Sequence, residues 1–278
     1  MTYRVLLGEA LFAAGASAGP ILGLDTGSAA ASLGVVAASR VRASISRPVR
    51  SHGSDLPSAM EEVLRIAGLT LRDLTAIAVA LGPGSFTGLR IGLSYAKGLA
   101  MALGLGLVGV PTLDAMALCA VGSPFVRNGV TICPVLDARK GEVYAALYRA
   151  GDDAVEKVVG EQVAPLEDFA LRISGEVVFI GESKAEDARM LLSLKGRDAA
   201  TVGGAPLRAS MGGLIAALGA ARVARHDVDD IVALEPLYLR PPDASIRAPE
   251  VSLSTSAKPG EDSYGTSRGR ANPAACRP

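Results

Sequence analysis

Apolar positions along this chain follow two periods, and the alternation between them sets out the fold. In "PILGLDTGSAAASLGVVA", residues 20–37, Ile, Leu and Val cluster and alternate on either side of Asp25–Ser28. This predicts a strand, a tight turn and a second strand, with Asp25 and Thr26 exposed at a sheet edge. "SDLPSAMEEVLRIAGL" then changes to helical spacing, with Leu56, Met60, Val63, Leu64 and Ala67 on one face. Ser54 or Asp55 can cap this helix, Pro57 suits its first turn and Gly68 ends it. "LTAIAVAL", Leu74 to Leu81, reads as a buried strand, followed by the glycine-rich "GPGSFTGLR" and a helix from about Leu89 to Leu103.

"GLVGVPTLDAMALCAV" restarts the pattern with a short strand, a break at Pro111 and a helix after Thr112 or Asp114. "TICPVLDARKGEVYAALYRA" repeats the first hairpin, with its turn at Asp137–Gly141. "EVVFIGE" adds a strand, and "APLRASMGGLIAALGAARVARH" a late helix that would pack back on the first module. The chain is therefore α/β with two hairpin-containing halves, a duplicated pattern.

The boundaries that follow are an N-terminal extension over 1–20, unstructured or from a misplaced start, and a first domain over 21–110. A second domain covers 111–205, and a C-terminal helix with a closing segment covers 206–240. From 241 to 278 the composition shifts to Pro, Ser, Gly and Arg, which predicts a disordered tail. The start, "MTYRVLLGEALFAAGASAGP", faintly resembles a secretion signal, but Glu9 interrupts its apolar run and its basic region is minimal. A cytoplasmic protein without membrane spans is expected.

Charge and composition narrow the chemistry. With 28 basic and 28 acidic residues the net charge is zero, so no global field draws the chain onto nucleic acid or an anionic membrane. Tryptophan is absent and Phe and Tyr number five and six, too few for the stacking platforms of single-strand binders. Cys119, Cys133 and Cys276 lack the spacing of a disulfide framework or a zinc site. His52 and His226 are too far apart for a paired-histidine metal helix, and no GxSxG marks a nucleophile, so no metal ligands and no catalytic residues are assigned.

Two features carry candidate chemistry. Gly82, Gly84 and Gly88 let backbone approach a ligand, Ser85 and Thr87 offer hydroxyls, and the helix behind supplies free N–H groups. A phosphate could sit there, yet Leu89 and Arg90 stand where a Walker lysine and hydroxyl would be, and the glycines do not fit GxGxxG. "LDTGS" adds a turn carboxylate, Asp25, beside Thr26, and "LDARKGE" offers Asp137 as its counterpart, with Ala138 where a glycine would face phosphate. The second feature is a stripe of Gly88, Gly92, Ala96, Ala100 and Gly104, repeating every four residues along the helix. Such a bare stripe implies close approach by another element, either within the chain or from a second one.

Taken together, "ILGLDTGSAAASLGVV", "VALGPGSFTGLRIGLSYAKGLAMAL", "GVPTLDAMA", "LDARKGEVYAALY" and "EPLYLR" resemble, in order from Ile21 to Arg240, the bacterial tRNA threonylcarbamoyladenosine biosynthesis protein TsaB (YeaZ-like) family. The resemblance implies an actin-like (ASKHA, ribonuclease H-like) two-domain fold with duplicated βββαβα-type modules. It implies a non-catalytic subunit that binds the catalytic paralogue TsaD, with the ATPase TsaE. The complex modifies the adenosine beside the anticodon of ANN-decoding tRNAs, reached by this chain indirectly. A homodimer is implied in the absence of partners. The partner or dimer interface is expected from Leu56, Met60, Val63, Leu64, Gly88, Gly92, Ala96 and Ala100. Vestigial phosphate contacts are expected at Asp25, Thr26, Gly84, Ser85, Thr87 and Asp137. No cofactor of its own is implied, with ATP or ADP and magnesium as candidates at an interface shared with partners. This chain departs from the family pattern in having four residues between His52 and Pro57 instead of five. The alternative is an ATPase or small-molecule kinase of the same fold, using Asp25 and Asp137 with magnesium.

Overall fold

Two sheets carry the fold, and both are wired alike. The computed structural model describes residues 3–6, 11, 13–48, 55–121, 123–152, 154–181, 193, 199–202 and 205–240. The first sheet takes β2 (Ile21–Asp25), β3 (Ala30–Ala37), β4 (Arg40–Pro48), β5 (Ala76–Gly82) and β6 (Gly106–Pro111) in the order β4-β3-β2-β5-β6. β4, β3 and β2 pair antiparallel, while β2, β5 and β6 pair parallel. The second sheet has β7 (Thr131–Arg139), β8 (Glu142–Ala150), β9 (Ala154–Pro165), β10 (Val177–Gly181) and β11 (Ala199–Val202) in the matching order β9-β8-β7-β10-β11. The pairing senses repeat as well.

Helices fill the space around and between the sheets. α1 (Leu56–Ala67) and α2 (Phe86–Leu103) cover one face of the first sheet, with Leu22, Leu24, Leu33, Val35, Ile77 and Val79 packed against Met60, Val63, Leu93 and Ala96. α3 (Thr112–Val121) and α5 (Ala205–Val223) lie between the sheets, where Ile21, Ala78, Ile132 and Ile180 meet Leu113, Met116, Ile215 and Ala216. α4 (Leu166–Arg172) covers the far face of the second sheet through Leu166 and Phe169. The central strands β2, β5 and β6 are buried on both sides, the pattern expected of strands with helices above and below, whereas β4 and β9 are exposed at alternate or outer positions.

α1 spans the range its apolar spacing predicts, closed by Gly68 at φ 71°. Asp55 stands at its N-cap without a side-chain bond to the helix. α2 starts at Phe86, three residues before the expected Leu89, because Ser85 caps it and its Oγ accepts the Gly88 N–H at 3.3 Å. β9 was not anticipated: its alternating "VEKVVGEQV" is polar on its outer side and gives a weak apolar signal.

The described residues of the N-terminal extension are part of the fold, where an unstructured lead or misplaced start was expected. β1 (Tyr3–Leu6) adds antiparallel to the outer edge of β9, Tyr3 opposite Lys157 and Leu6 opposite Ala154. An unpaired edge leaves a row of N–H and C=O groups without partners, and β1 satisfies part of that row. Leu11 is buried in the core between the sheets. The tail predicted over 241–278, His52 and Cys276 lie outside the described residues.

α5 meets the first sheet almost backbone to backbone. A Cβ on Gly34 would fall 2.3 Å from the Gly213 nitrogen, and one on Gly23 would fall 2.1 Å from the Gly212 oxygen. The contact is fixed by the Gly212 N–H donating to Ser32 Oγ at 2.8 Å.

Candidate functional site

The first hairpin turn and the glycine loop come together at the C-terminal ends of β2 and β5. Asp25 ends β2 with its side chain fully buried, 0% exposed, and its Oδ1 accepts the Gly27 N–H at 2.9 Å. Thr26 is buried too, and its Oγ1 donates to the Gly88 carbonyl at 2.7 Å. The Ser85 N–H donates to the Gly27 carbonyl at 2.8 Å. Asp25 and Thr26 are thus not exposed at a sheet edge as the turn pattern predicted, because β2 is a central strand and the loop lies on top of its turn.

This closure explains the glycines. A Cβ on Gly84 would fall 2.6 Å from the Gly27 oxygen, one on Gly88 2.0 Å from the Thr26 oxygen, and one on Gly92 2.1 Å from Thr26 Oγ1. The Gly82–Pro83 peptide bond is cis, and the Gly82 N–H donates to Thr112 Oγ1 at 3.1 Å, which ties the loop to the start of α3.

All eight residues expected at a partner interface lie inside the fold. Leu56, Met60, Val63, Leu64, Ala96 and Ala100 belong to the core between α1, α2 and the first sheet. Gly88 and Gly92 are buried against the Thr26 turn. Gly88 and Gly92 of the small-residue stripe therefore lie against this chain's own hairpin, Ala96 and Ala100 lie in its core, and Gly104 is exposed, with nothing within 4 Å of an added Cβ. The helix faces that remain outside are apolar in part: Ile66 is 50% exposed, Met101 66% and Leu103 39%. Tyr95 of α2 is half-buried, and its hydroxyl is pushed above its usual range by burial and by the nearby Glu61 charge.

Of the six expected phosphate contacts, Asp25, Thr26, Gly84, Ser85 and Thr87 sit around this one contact, with Ser85 and Thr87 exposed. Asp137 is exposed in the second hairpin, its Oδ1 accepting the Arg139 N–H at 2.7 Å. The positive-φ turn there is Arg139, Lys140 and Gly141, the last three residues of the predicted Asp137–Gly141 turn. The residues do not fit a magnesium nucleotide on the first turn. The Asp25 carboxylate is buried, the Ser85 and Gly88 amides are engaged within the loop, and the approach to Thr26 is filled by helix backbone. Among the described residues no three His, Cys, Asp or Glu side chains gather as a ligand set. Titration of the purified chain with Mg-ATP by calorimetry is expected to show no micromolar binding; binding abolished by Asp25→Ala would contradict this closed turn.

A polar network that the sequence did not reveal lies between α3 and the second sheet. Asp114 is fully buried, accepts the Tyr148 hydroxyl at 2.6 Å and pairs with Lys157 Nζ at 2.7 Å. Lys157 also bonds Glu161 at 2.6 Å. Burial raises the Asp114 carboxyl above its ordinary value against the pull of Lys157 and Tyr148. Burial opposes the Lys157 charge, but the Asp114 and Glu161 carboxylates outweigh it and raise the amine. An acidic residue in the otherwise apolar "TLDAMALCAV" was the one available signal.

Two copies of the same mixed sheet, joined through helices and closed by a late helix, define a protein of the actin-like, ribonuclease H-like class. A family model described as TsaD, tRNA N6-adenosine threonylcarbamoyltransferase, matches residues 46–205. The tRNA threonylcarbamoyladenosine biosynthesis protein TsaB of Escherichia coli is 34% identical over 168 residues, covering 58% of this chain and 70% of that protein. An uncharacterized protein of Mycobacterium tuberculosis is 32% identical over 227 residues, covering 81% of this chain and 93% of its own length. YeaZ from Pseudomonas aeruginosa superposes with a TM-score of 0.66 at 25% identity, over 80% of this chain and 100% of that one. The chain belongs to the TsaB/YeaZ family. Among the described residues no helix is long and apolar enough to cross a membrane.

Proposed function

We propose that this chain is a non-catalytic subunit in the biosynthesis of tRNA threonylcarbamoyladenosine, one that docks a TsaD-type threonylcarbamoyltransferase and works with TsaE. Membership of the TsaB/YeaZ family supports a role in that pathway. The observation that carries the non-catalytic reading is the closed turn, where Gly84 and Gly88 seat the loop directly on Thr26 and Gly27. A helix stands where a phosphate would have to enter, so the first module retains the shape of a nucleotide-binding fold without an open cradle.

Docking is assigned to the outer faces of α1 and α2 rather than to the buried stripe. Ile66 on α1 and Met101 and Leu103 on α2 present apolar surface there, and Tyr95 and Leu99 of α2 are half-buried. Apolar surface of this kind favours a helical partner, and a second copy of the chain takes the same face when TsaD is absent. The tRNA is reached through the complex, and any ATP or ADP with magnesium belongs at an interface shared with the partners.

The test is co-purification of the chain with its cognate TsaD. The Ile66→Glu/Met101→Glu variant is expected to lose the complex while keeping its circular dichroism spectrum. Unchanged complex formation would overturn this face, and unchanged tRNA modification with the subunit omitted would overturn the functional reading.

A further inference from the structure

The segment after α5 is anchored unevenly to the two modules. At its start Arg222 holds Asp227 through two bonds of 2.8 Å and Asp229 through bonds of 2.9 and 3.0 Å. Asp229 then grips β6: its N–H donates to the Leu107 carbonyl at 2.9 Å, and its Oδ2 accepts the Gly109 N–H at 2.7 Å. Further along, Lys97 of α2 donates to the Val232 carbonyl at 2.9 Å, and the Leu237 N–H donates to the Leu81 carbonyl at 2.8 Å. Tyr238 stacks on Phe86 at 4.9 Å between ring centroids, and its hydroxyl accepts from Arg90 Nε at 2.9 Å. Arg90 lies 4.0 Å over the Phe86 ring, so the mouth of the glycine loop is locked to the segment.

The anchor on the second module has a different character. It is the Arg240 guanidinium, which donates to the Ala138 carbonyl at 3.0 Å and pairs with the Glu142 carboxylate. Ala138 and Glu142 flank the positive-φ turn Arg139–Gly141 beside Asp137. The strap is thus tied at several points to the first module and by a single charged clip to the second, and the bonds nearest the clip, such as Leu237 to Leu81, lie three residues from it.

We propose that residues 227–240 form a latch that fixes the second hairpin turn relative to the glycine loop, with Arg240 as its releasable end. Release of Arg240 from Ala138 and Glu142 frees the turn that carries Asp137 while both sheets stay folded. The latch follows from the bonds of this chain and holds whether or not the docking face on α1 and α2 is correct.

Hydrogen exchange on the full chain tests it. Loss of a charge-assisted bond corresponds to roughly tenfold or more in a local opening equilibrium. Arg240→Glu sets a carboxylate against Glu142 and is expected to speed exchange by about that factor at amides 139–143 and at Leu237. The swapped pair Arg240→Glu/Glu142→Arg is expected to return both regions toward the wild-type rate, with β5 and β10 unchanged throughout. Wild-type exchange at both regions in Arg240→Glu, acceleration confined to residues 239–240, or a double variant as fast as the single one would each overturn the latch. If Arg240→Glu unfolds the sheets, Arg240→Gln is read at the same amides with the same criteria.

Discussion

Gly34→Val is expected to lower the melting temperature by about 2–12 °C. A Cβ at Gly34 meets the Gly213 nitrogen at 2.3 Å, the Gly212 carbonyl carbon at 2.5 Å and the Gly213 Cα at 2.6 Å. These are backbone atoms of α5, which cannot rotate aside as a side chain can. Relief requires the helix to move off β3, which breaks the bond between the Gly212 N–H and Ser32 Oγ and opens the core around Ile215 and Ala216. Overpacking of a tight core costs about 1–3 kcal/mol or more, and a domain of this size loses roughly 2–4 °C per kcal/mol. Gly98→Ala is the control: nothing stands within 4 Å of its Cβ, it lies exposed within α2, and a gain of about 1 kcal/mol is expected from helix propensity. Thermal unfolding followed by circular dichroism reads both; a Gly34→Val melting curve matching the wild type would refute the backbone contact.

Lys157→Met is expected to destabilise the chain by about 3–5 kcal/mol, the range for removing one partner of a buried ion pair. Asp114 is left fully buried with the Tyr148 hydroxyl as its donor, and Glu161 loses its counter-ion. The pH dependence gives the cause away. Burial already raises the Asp114 carboxyl, and without Lys157 it rises further. A group whose folded value is raised contributes stability that is fully present below the unfolded value of about 3.9 and is lost as pH rises through the folded value. The deficit of Lys157→Met is therefore largest at neutral pH and shrinks toward pH ~4. The double variant Asp114→Asn/Lys157→Met removes the buried charge and is expected to recover part of the loss. Urea unfolding across pH measures all three, and a deficit independent of pH would assign the effect to lost packing instead.

The elements of this protein were largely legible along the chain because their signals are local. Alternation around Asp25–Ser28 gave the first hairpin, and the spacing of Leu56, Met60, Val63, Leu64 and Ala67 gave the buried face of α1. The exceptions have local causes as well. β9 is half-exposed and polar on alternate positions, and β1 is a four-residue strand that exists through its partner Ala154–Lys157.

The sequence by itself determined that α2 has a bare side, since Gly88, Gly92, Ala96 and Ala100 must share one face at helical spacing. It did not determine what lies against that face. Thr26 reaches Gly88 across 62 residues and Gly212 reaches Ser32 across 180, and no local period encodes which distant backbone comes close. The same holds for Asp25, a turn aspartate by pattern and a fully buried one in the fold, because burial depends on the loop laid over it. Tertiary structure thus decided that Gly84, Gly88 and Gly92 seal a turn within the chain and that the apolar face of α1 packs on the first sheet.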